Sequence, residues 1–143
     1  GCPNMKPKLH HVNFSTKNVS EMTKFYREIL LLEEEDTDIP IIEKGKAYNG
    51  EVKFMTDGNT QTHIAERDLD LIFKTDLAIN PLDKGHIAFR TENLKDFKKH
   101  LDEMGIKYSD WGETAVTGWM QIFFYDPDGN IIEVHQKSNA KND

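Results

Sequence analysis

Apolar and polar residues along this chain follow two rhythms. In LHHVNFST (9–16) and GHIAFRT (85–91) every second residue is apolar: Val12, Phe14, Ile87 and Phe89 share one side, while His11, Asn13, Ser15, His86, Ala88 and Arg90 share the other. That is the period of a strand. Each run then meets an asparagine three residues before an acid, Asn18 before Glu21 and Asn93 before Asp96, the signature of an N-cap with favourable charge in the first turn. Val19, Met22, Phe25, Tyr26 and Ile29, and likewise Leu94, Phe97, Leu101 and Met104, recur at helical spacing. Two amphipathic helices are expected, the second closed by Gly105. Shorter strand-like runs follow each: IPIIEK, EVKFMT and QTHIAE, then IKYSD, MQIFFY and NIIEVHQ.

The two halves are copies. HHVNFSTKNVSEM (10–22) lies over GHIAFRTENLKDF (85–97) at a constant offset of 75, which matches His11 with His86, Phe14 with Phe89, Thr16 with Thr91 and Asn18 with Asn93. The pattern predicts an α+β chain of two βαβββ modules, 7–68 and 85–137. A linker over 69–84, broken by Pro81, joins them, and 1–6 and 138–143 are expected as flexible tails.

DPDGNIIEVH (126–135) interrupts this regularity. Asp126-Pro127-Asp128-Gly129 has the chemistry of a tight turn. In the strand after it, Ile131, Glu133 and His135 point to one face and Ile132 and Val134 to the other. A lone strand with these residues in water would be an edge strand. The repeat offers another reading. His11 and His86 stand on the first strands of the two modules, and His63 and Glu133 stand in their last strands. Three imidazoles and a carboxylate on matched strands suit a divalent metal, with room left for water or substrate. A slip of one residue in QTHIAE would turn His63 away.

Composition narrows the partners. The 143 residues carry a net charge of −7, and the 18 basic residues are dispersed, so the footprint of a nucleic-acid binder is missing. Only three arginines occur, Arg27, Arg67 and Arg90, which limits planar clamps for phosphate or carboxylate. The single cysteine, Cys2, lies in a GCPN lead ahead of Met5 and is set aside. With no apolar run of membrane-spanning length and no signal-peptide pattern, the chain is expected to be soluble and cytoplasmic, with a small molecule as its partner and no membrane.

LHHVNF…FYREIL, QTHIAE, GHIAFRTENLKDFKKHLDEMGI and FFYDPDGNIIEVH together resemble the vicinal oxygen chelate superfamily, over roughly residues 8 to 136. That superfamily holds glyoxalase I, fosfomycin-resistance transferases, extradiol dioxygenases, methylmalonyl-CoA epimerase and bleomycin-resistance proteins. The resemblance implies paired βαβββ modules curved into a mixed-sheet cup, often in a homodimer, with His11, His63, His86 and Glu133 on the four metal positions. It further implies a divalent transition metal (Zn, Ni, Mn, Fe or Co), Glu133 as catalytic base, a pocket including Asn13, Arg90, Phe123 and His135, and room for a thiol cosubstrate such as glutathione.

Departures sort the subfamilies. Glyoxalase I usually has a carboxylate or amide where this chain has His63. The tyrosine of extradiol dioxygenases falls on Phe123, and the arginine that fosfomycin transferases carry beyond the last strand has no counterpart. Bleomycin-resistance proteins bind without metal and lack these ligands. The expectation is a metal-dependent lyase or isomerase of the glyoxalase type acting on a small oxygen-rich substrate. The alternatives are a non-catalytic small-molecule binding or resistance protein with Trp111, Trp119 and Phe123 as walls, a fosfomycin-type transferase, or an extradiol dioxygenase.

Overall fold

A computed structural model of the chain describes residues 4–43 and 45–138. Its first half runs β1 (Lys8–Thr16), α1 (Val19–Glu28), β2 (Glu33–Glu34), β3 (Val52–Thr56) and β4 (Gln61–Glu66). After α2 (Leu71–Thr75), the second half repeats the order as β5 (Gly85–Arg90), α3 (Leu94–Glu103), β6 (Ser109–Gly112), β7 (Trp119–Tyr125) and β8 (Ile131–Lys137). The asparagines cap both long helices: Asn18 accepts from the Glu21 amide and Asn93 from the Asp96 amide, each at 3.0 Å. Gly129 at φ +85° and the Asp126 carboxylate, which accepts from the Asp128 and Asn130 amides, shape the turn before β8.

All eight strands join one mixed sheet in the order β2-β3-β4-β1-β5-β8-β7-β6. β1 and β5 meet antiparallel at its centre, with Val12 opposite Ile87, Asn13 opposite His86 and His11 opposite Ala88. Because the repeat offset equates His11 with His86 and Asn13 with Ala88, these pairings interchange under a local two-fold axis between Val12 and Ile87. The same symmetry sets the outer pairs: Asn13 lies beside His63 on β4, and Ala88 beside Glu133 on β8. His63 and Glu133 therefore occupy equivalent places.

Each helix covers one outer flank of the sheet. Val19 of α1 packs with Met55 and Ile64, and Leu94, Phe97 and Leu101 of α3 pack with Ile122 and Val134. Each fully buried large apolar side chain contributes roughly 1.5–3 kcal/mol. On the opposite face a larger cluster including Tyr48, Leu82, Trp111, Trp119 and Phe123 fills the cup. β8 is sandwiched between β5 and β7, and Glu133 and His135 are 1% and 0% exposed. That rules out the edge-strand reading.

Two expectations need correction. The run IPIIEK forms no strand among its described residues; Ile41 makes a single bridge to Thr117. Pro40 has no amide proton to give a ladder, and the segment crosses to the other module instead of pairing within its own. β6 lies at 109–112, later than IKYSD. The linker over 69–84 is packed: Leu71 of α2, Pro81 and Leu82 are buried. Of the expected tails, Asn4 and Met5 are tied to the second module, their carbonyls accepting from the Glu92 amide and the Thr91 hydroxyl. Residues 1–3 and 139–143 lie outside the described residues.

Gly85 opens β5 at φ +134°, where an added Cβ would stand 2.1 Å from the Asn13 carbonyl oxygen. A rigid backbone atom cannot yield, so Gly85→Ala must shift the β1–β5 junction. We expect a loss of about 2–4 kcal/mol, read as a lowered urea midpoint. An unchanged midpoint would show that the junction tolerates displacement.

Candidate metal centre

Three of the four expected ligand positions converge. One ligand atom from each of His11, His86 and Glu133 lies within 4.8 Å of the others. Glu133 Oε1 is 2.9 Å from His86 Nε2 and 4.0 Å from His11 Nε2. The first strands deliver the imidazoles and β8 the carboxylate, and the two-fold pairing brings them together across the middle of the sheet.

Hydrogen bonds around the ring fix which nitrogens are free. His86 Nδ1 donates to the Pro81 carbonyl at 2.9 Å, which leaves Nε2 to face Glu133. A register shift in the β1–β5 pairing between Leu9 and His11 makes His10 an extra residue, so two consecutive histidines can turn to the same side. His10 Nε2 lies 2.9 Å from Asp38 Oδ2, and His10 Nδ1 lies 2.8 Å from His11 Nδ1. A neutral His10 that donates to Asp38 must accept at Nδ1. His11 then donates from Nδ1 and keeps a bare Nε2. Arg90 can only donate, so its Nε–H at 3.0 Å from His135 Nε2 forces the His135 proton onto Nδ1, which gives it to Glu133 Oε2 at 2.7 Å.

His63 sits beside this set. Its Nε2 is bound to Gln61 Oε1 at 2.7 Å, and its ring stacks on that of His11 with centroids 3.7 Å apart. Asn13, His63 and Phe123 line the same cavity as the three converging residues. The volume is about 50 Å³, room for only a few waters, and most of its walls are apolar. Of the residues expected in the pocket, Arg90 and His135 stand behind Glu133 instead and do not line it. Trp119 stacks on His135, with centroids 4.2 Å apart and planes 2° apart, and Arg90 lies over its ring at 5.2 Å.

Charge completes the description. Burial holds His11 well below the ordinary histidine value, with the neighbouring His63 adding to the effect, and burial pushes His63 down to about 3. Both stay neutral, as ligands must. Burial alone would raise Glu133, but the hydrogen bond from His135 to Oε2 outweighs it and holds the carboxyl well below the usual glutamate range. Glu133 Oε1 nevertheless has no aligned hydrogen-bond donor. A buried anionic oxygen 2.9 Å from an imidazole nitrogen whose proton sits on the far side calls for a cation between them. Two imidazole nitrogens and one carboxylate oxygen are a donor set that fits a divalent transition metal.

The glyoxalase/bleomycin resistance protein/dioxygenase superfamily profile matches residues 8–134. The chain belongs to this superfamily. Glyoxylase I 4 of Arabidopsis thaliana is 34% identical, in a match covering 94% of this chain and 73% of that protein. Among solved structures, a hypothetical protein from Bacillus halodurans C-125 is similar with TM-score 0.67 at 15% identity, covering 94% of this chain and 96% of its own. Methylmalonyl-CoA epimerase from Mycobacterium tuberculosis gives TM-score 0.66 at 12% identity, over 99% and 95% of the two chains. At such identities the structures share the fold.

Within the superfamily fold, the residues that sequence reasoning missed are His10, Asp38 and Gln61. A doubled His10-His11 in an alternating strand is the one local signal of a bulge; Asp38 and Gln61 act through long-range contacts that no spacing reveals.

Glu133 gives a pH signature. Its folded value is depressed, so its contribution to stability is full above the ordinary glutamate value of 4.5 and is lost as pH falls toward the folded value. In metal-free protein, the urea midpoint of the wild type should fall more steeply than that of Glu133→Gln between about pH 5 and pH 3. Parallel curves would show that Glu133 is not held ionised by its neighbours.

Proposed function

We propose that this chain is a metal-dependent enzyme of the glyoxalase type, a lyase or isomerase acting on a small oxygen-rich substrate. The observation that carries the reading is the buried Glu133 Oε1, without an aligned donor, facing the bare Nε2 atoms of His11 and His86. His11, His86 and Glu133 would hold the metal. His63, with Nε2 committed to Gln61, would join through Nδ1 or after turning its ring. Zn, Ni, Mn, Fe or Co bound there would supply Lewis-acid stabilisation of negative charge developing on substrate oxygens.

The protein's own groups do the rest. The apolar walls exclude water and strengthen each electrostatic contact. Asn13 Nδ2 and Gln121 Oε1 are buried in the cavity without partners, one a donor and one an acceptor for an oxygen-bearing substrate. Glu133 is ionised at neutral pH and can accept a proton on Oε1, while His135 keeps Oε2 in place. Similarity to the Arabidopsis glyoxylase supports trying a hemithioacetal, hence a thiol cosubstrate such as glutathione. The reading includes a homodimer in the cytoplasm; among the described residues no helix is long and apolar enough to cross a membrane.

Purified protein should carry about one divalent transition metal per chain, measured by elemental analysis after dialysis and by titration. Metal far below that level, with no uptake of Zn, Ni, Mn, Fe or Co, would overturn the proposal in favour of a metal-free binding protein.

His86 and Glu133 differ in what they are asked to do. His86→Ala should weaken metal binding by about 10–100-fold, with turnover partly recovered in excess metal. Glu133→Gln keeps an oxygen donor but removes the base, so turnover should drop by about 10²–10⁴-fold even with metal bound. The first substrate is the hemithioacetal of methylglyoxal and glutathione, followed by α-hydroxycarbonyl compounds, catechols and fosfomycin. Near-normal turnover by Glu133→Gln would remove Glu133 from the role of base.

A further inference from the structure

Asp38 lies in the loop between β2 and β3, at φ +53°, a left-handed conformation that aspartate tolerates better than most residues. Its carboxylate is where two chains of contacts begin. One passes from Asp38 Oδ2 to His10 Nε2 at 2.9 Å, and from His10 Nδ1 to His11 Nδ1 at 2.8 Å. The other passes from both Asp38 oxygens to Arg90 Nη1 at 2.7 Å, from Arg90 Nε to His135 Nε2 at 3.0 Å, and from His135 Nδ1 to Glu133 Oε2 at 2.7 Å. A third chain starts from its backbone: the Asp38 carbonyl accepts from Gln61 Nε2 at 3.0 Å, and Gln61 Oε1 binds His63 Nε2 at 2.7 Å. Lys137 Nζ, at 3.4 Å, is the remaining cation on the carboxylate.

We propose that the Asp38 carboxylate is a positioning residue that fixes the tautomer of His11 and the orientation of Glu133 from outside the cavity. It does so by making His10 donate outward, so that His11 must donate to His10 and present a bare Nε2. It also holds the Arg90 guanidinium so that Nε meets His135, which gives its remaining proton to Glu133 Oε2. Without it, His10 is free to take the other tautomer, so His11 loses its fixed presentation, and Arg90 is no longer held against His135. Loss of such an outer hydrogen bond typically costs about 10–100-fold in metal affinity. This inference rests on the metal reading above, but its first readout needs no metal.

The test compares metal-free, ¹⁵N-labelled wild type, Asp38→Ala and the nearby charge control Asp36→Ala by long-range ¹H–¹⁵N correlation of the imidazoles. Wild type should show His11 and His135 protonated at Nδ1. Asp38→Ala should show mixed tautomers at His10 and His11, while His135, which still donates to the Glu133 carboxylate, and His63, tied to the backbone carbonyl, stay unchanged. Asp36→Ala should match wild type throughout. In Zn titrations the Asp38→Ala affinity should fall about 10–100-fold and that of Asp36→Ala should not change. Asp38→Asn keeps the side-chain shape and serves if the alanine variant misfolds; it removes the negative charge and one of the two oxygens that hold Arg90 Nη1, so it should disturb at least one chain. Wild-type tautomers retained in the Asp38 variants would overturn the proposal. A wild type with fixed tautomers that binds no Zn would overturn the metal reading alone, and the tautomer comparison still decides the role of Asp38.

Discussion

A carboxylate with 1% of its surface exposed is the constraint on which the rest of this structure depends. Burying an ionised group without compensation costs far more than the net stability of a domain of this size, so Glu133 must be surrounded by groups that make ionisation favourable. His135 donates to one oxygen, and the imidazoles of His86 and His11 face the other. Each helper is itself buried and needs a partner: His135 takes Arg90, His86 takes the Pro81 carbonyl and His11 takes His10. Compensation therefore spreads outward until it reaches Asp38, whose side chain is 35% exposed. There water still reaches the charge. The Arg90 and His10 hydrogen bonds overcome its own partial burial and draw the Asp38 carboxyl down to about 2.

The two-fold junction explains how a chain with no local motif for a metal assembles one. Each module alone offers one candidate ligand histidine on its first strand, His11 or His86, and one candidate ligand on its last. Antiparallel pairing of β1 with β5 places the first-strand positions across the axis from each other, and parallel pairing with β4 and β8 places the last-strand positions beside them. A one-residue slip in any of these pairings would send a ligand to the helix-covered face. The apolar residues on that face, Val19 with Ile64 and Leu94 with Val134, pin the register. Core packing on one side of the sheet thereby sets the chemistry on the other.

This accounts for what the sequence could reveal. The helices, their asparagine caps, the turn at Asp126–Asn130 and the equivalence of His11 with His86 all follow from periodicity or identity at a fixed offset, which are properties of neighbouring residues. The bulge at His10, the crossing of residues 39–43 toward Thr117 and the reach of Asp38 to Arg90 do not, because they are set by contacts between segments far apart in sequence. His63 marks the boundary. Its strand and its face could be read from QTHIAE, but the bond that turns its Nε2 to Gln61 could not.

The two copies have also diverged at the proposed site. Equivalent places hold a neutral imidazole, His63, in one module and an ionised carboxylate, Glu133, in the other, and their surroundings differ accordingly. His63 stacks on His11 and bonds to an amide, partners that leave it uncharged. Glu133 has imidazoles around it and a guanidinium one step behind. A symmetric site with two carboxylates would place like charges in a dry cavity, and one with four imidazoles would lack a base of its own. In the proposed site, breaking the symmetry at this one pair of positions leaves three neutral imidazoles and one anion that would double as the proton acceptor, while the strand pairing that holds them stays the same in both halves.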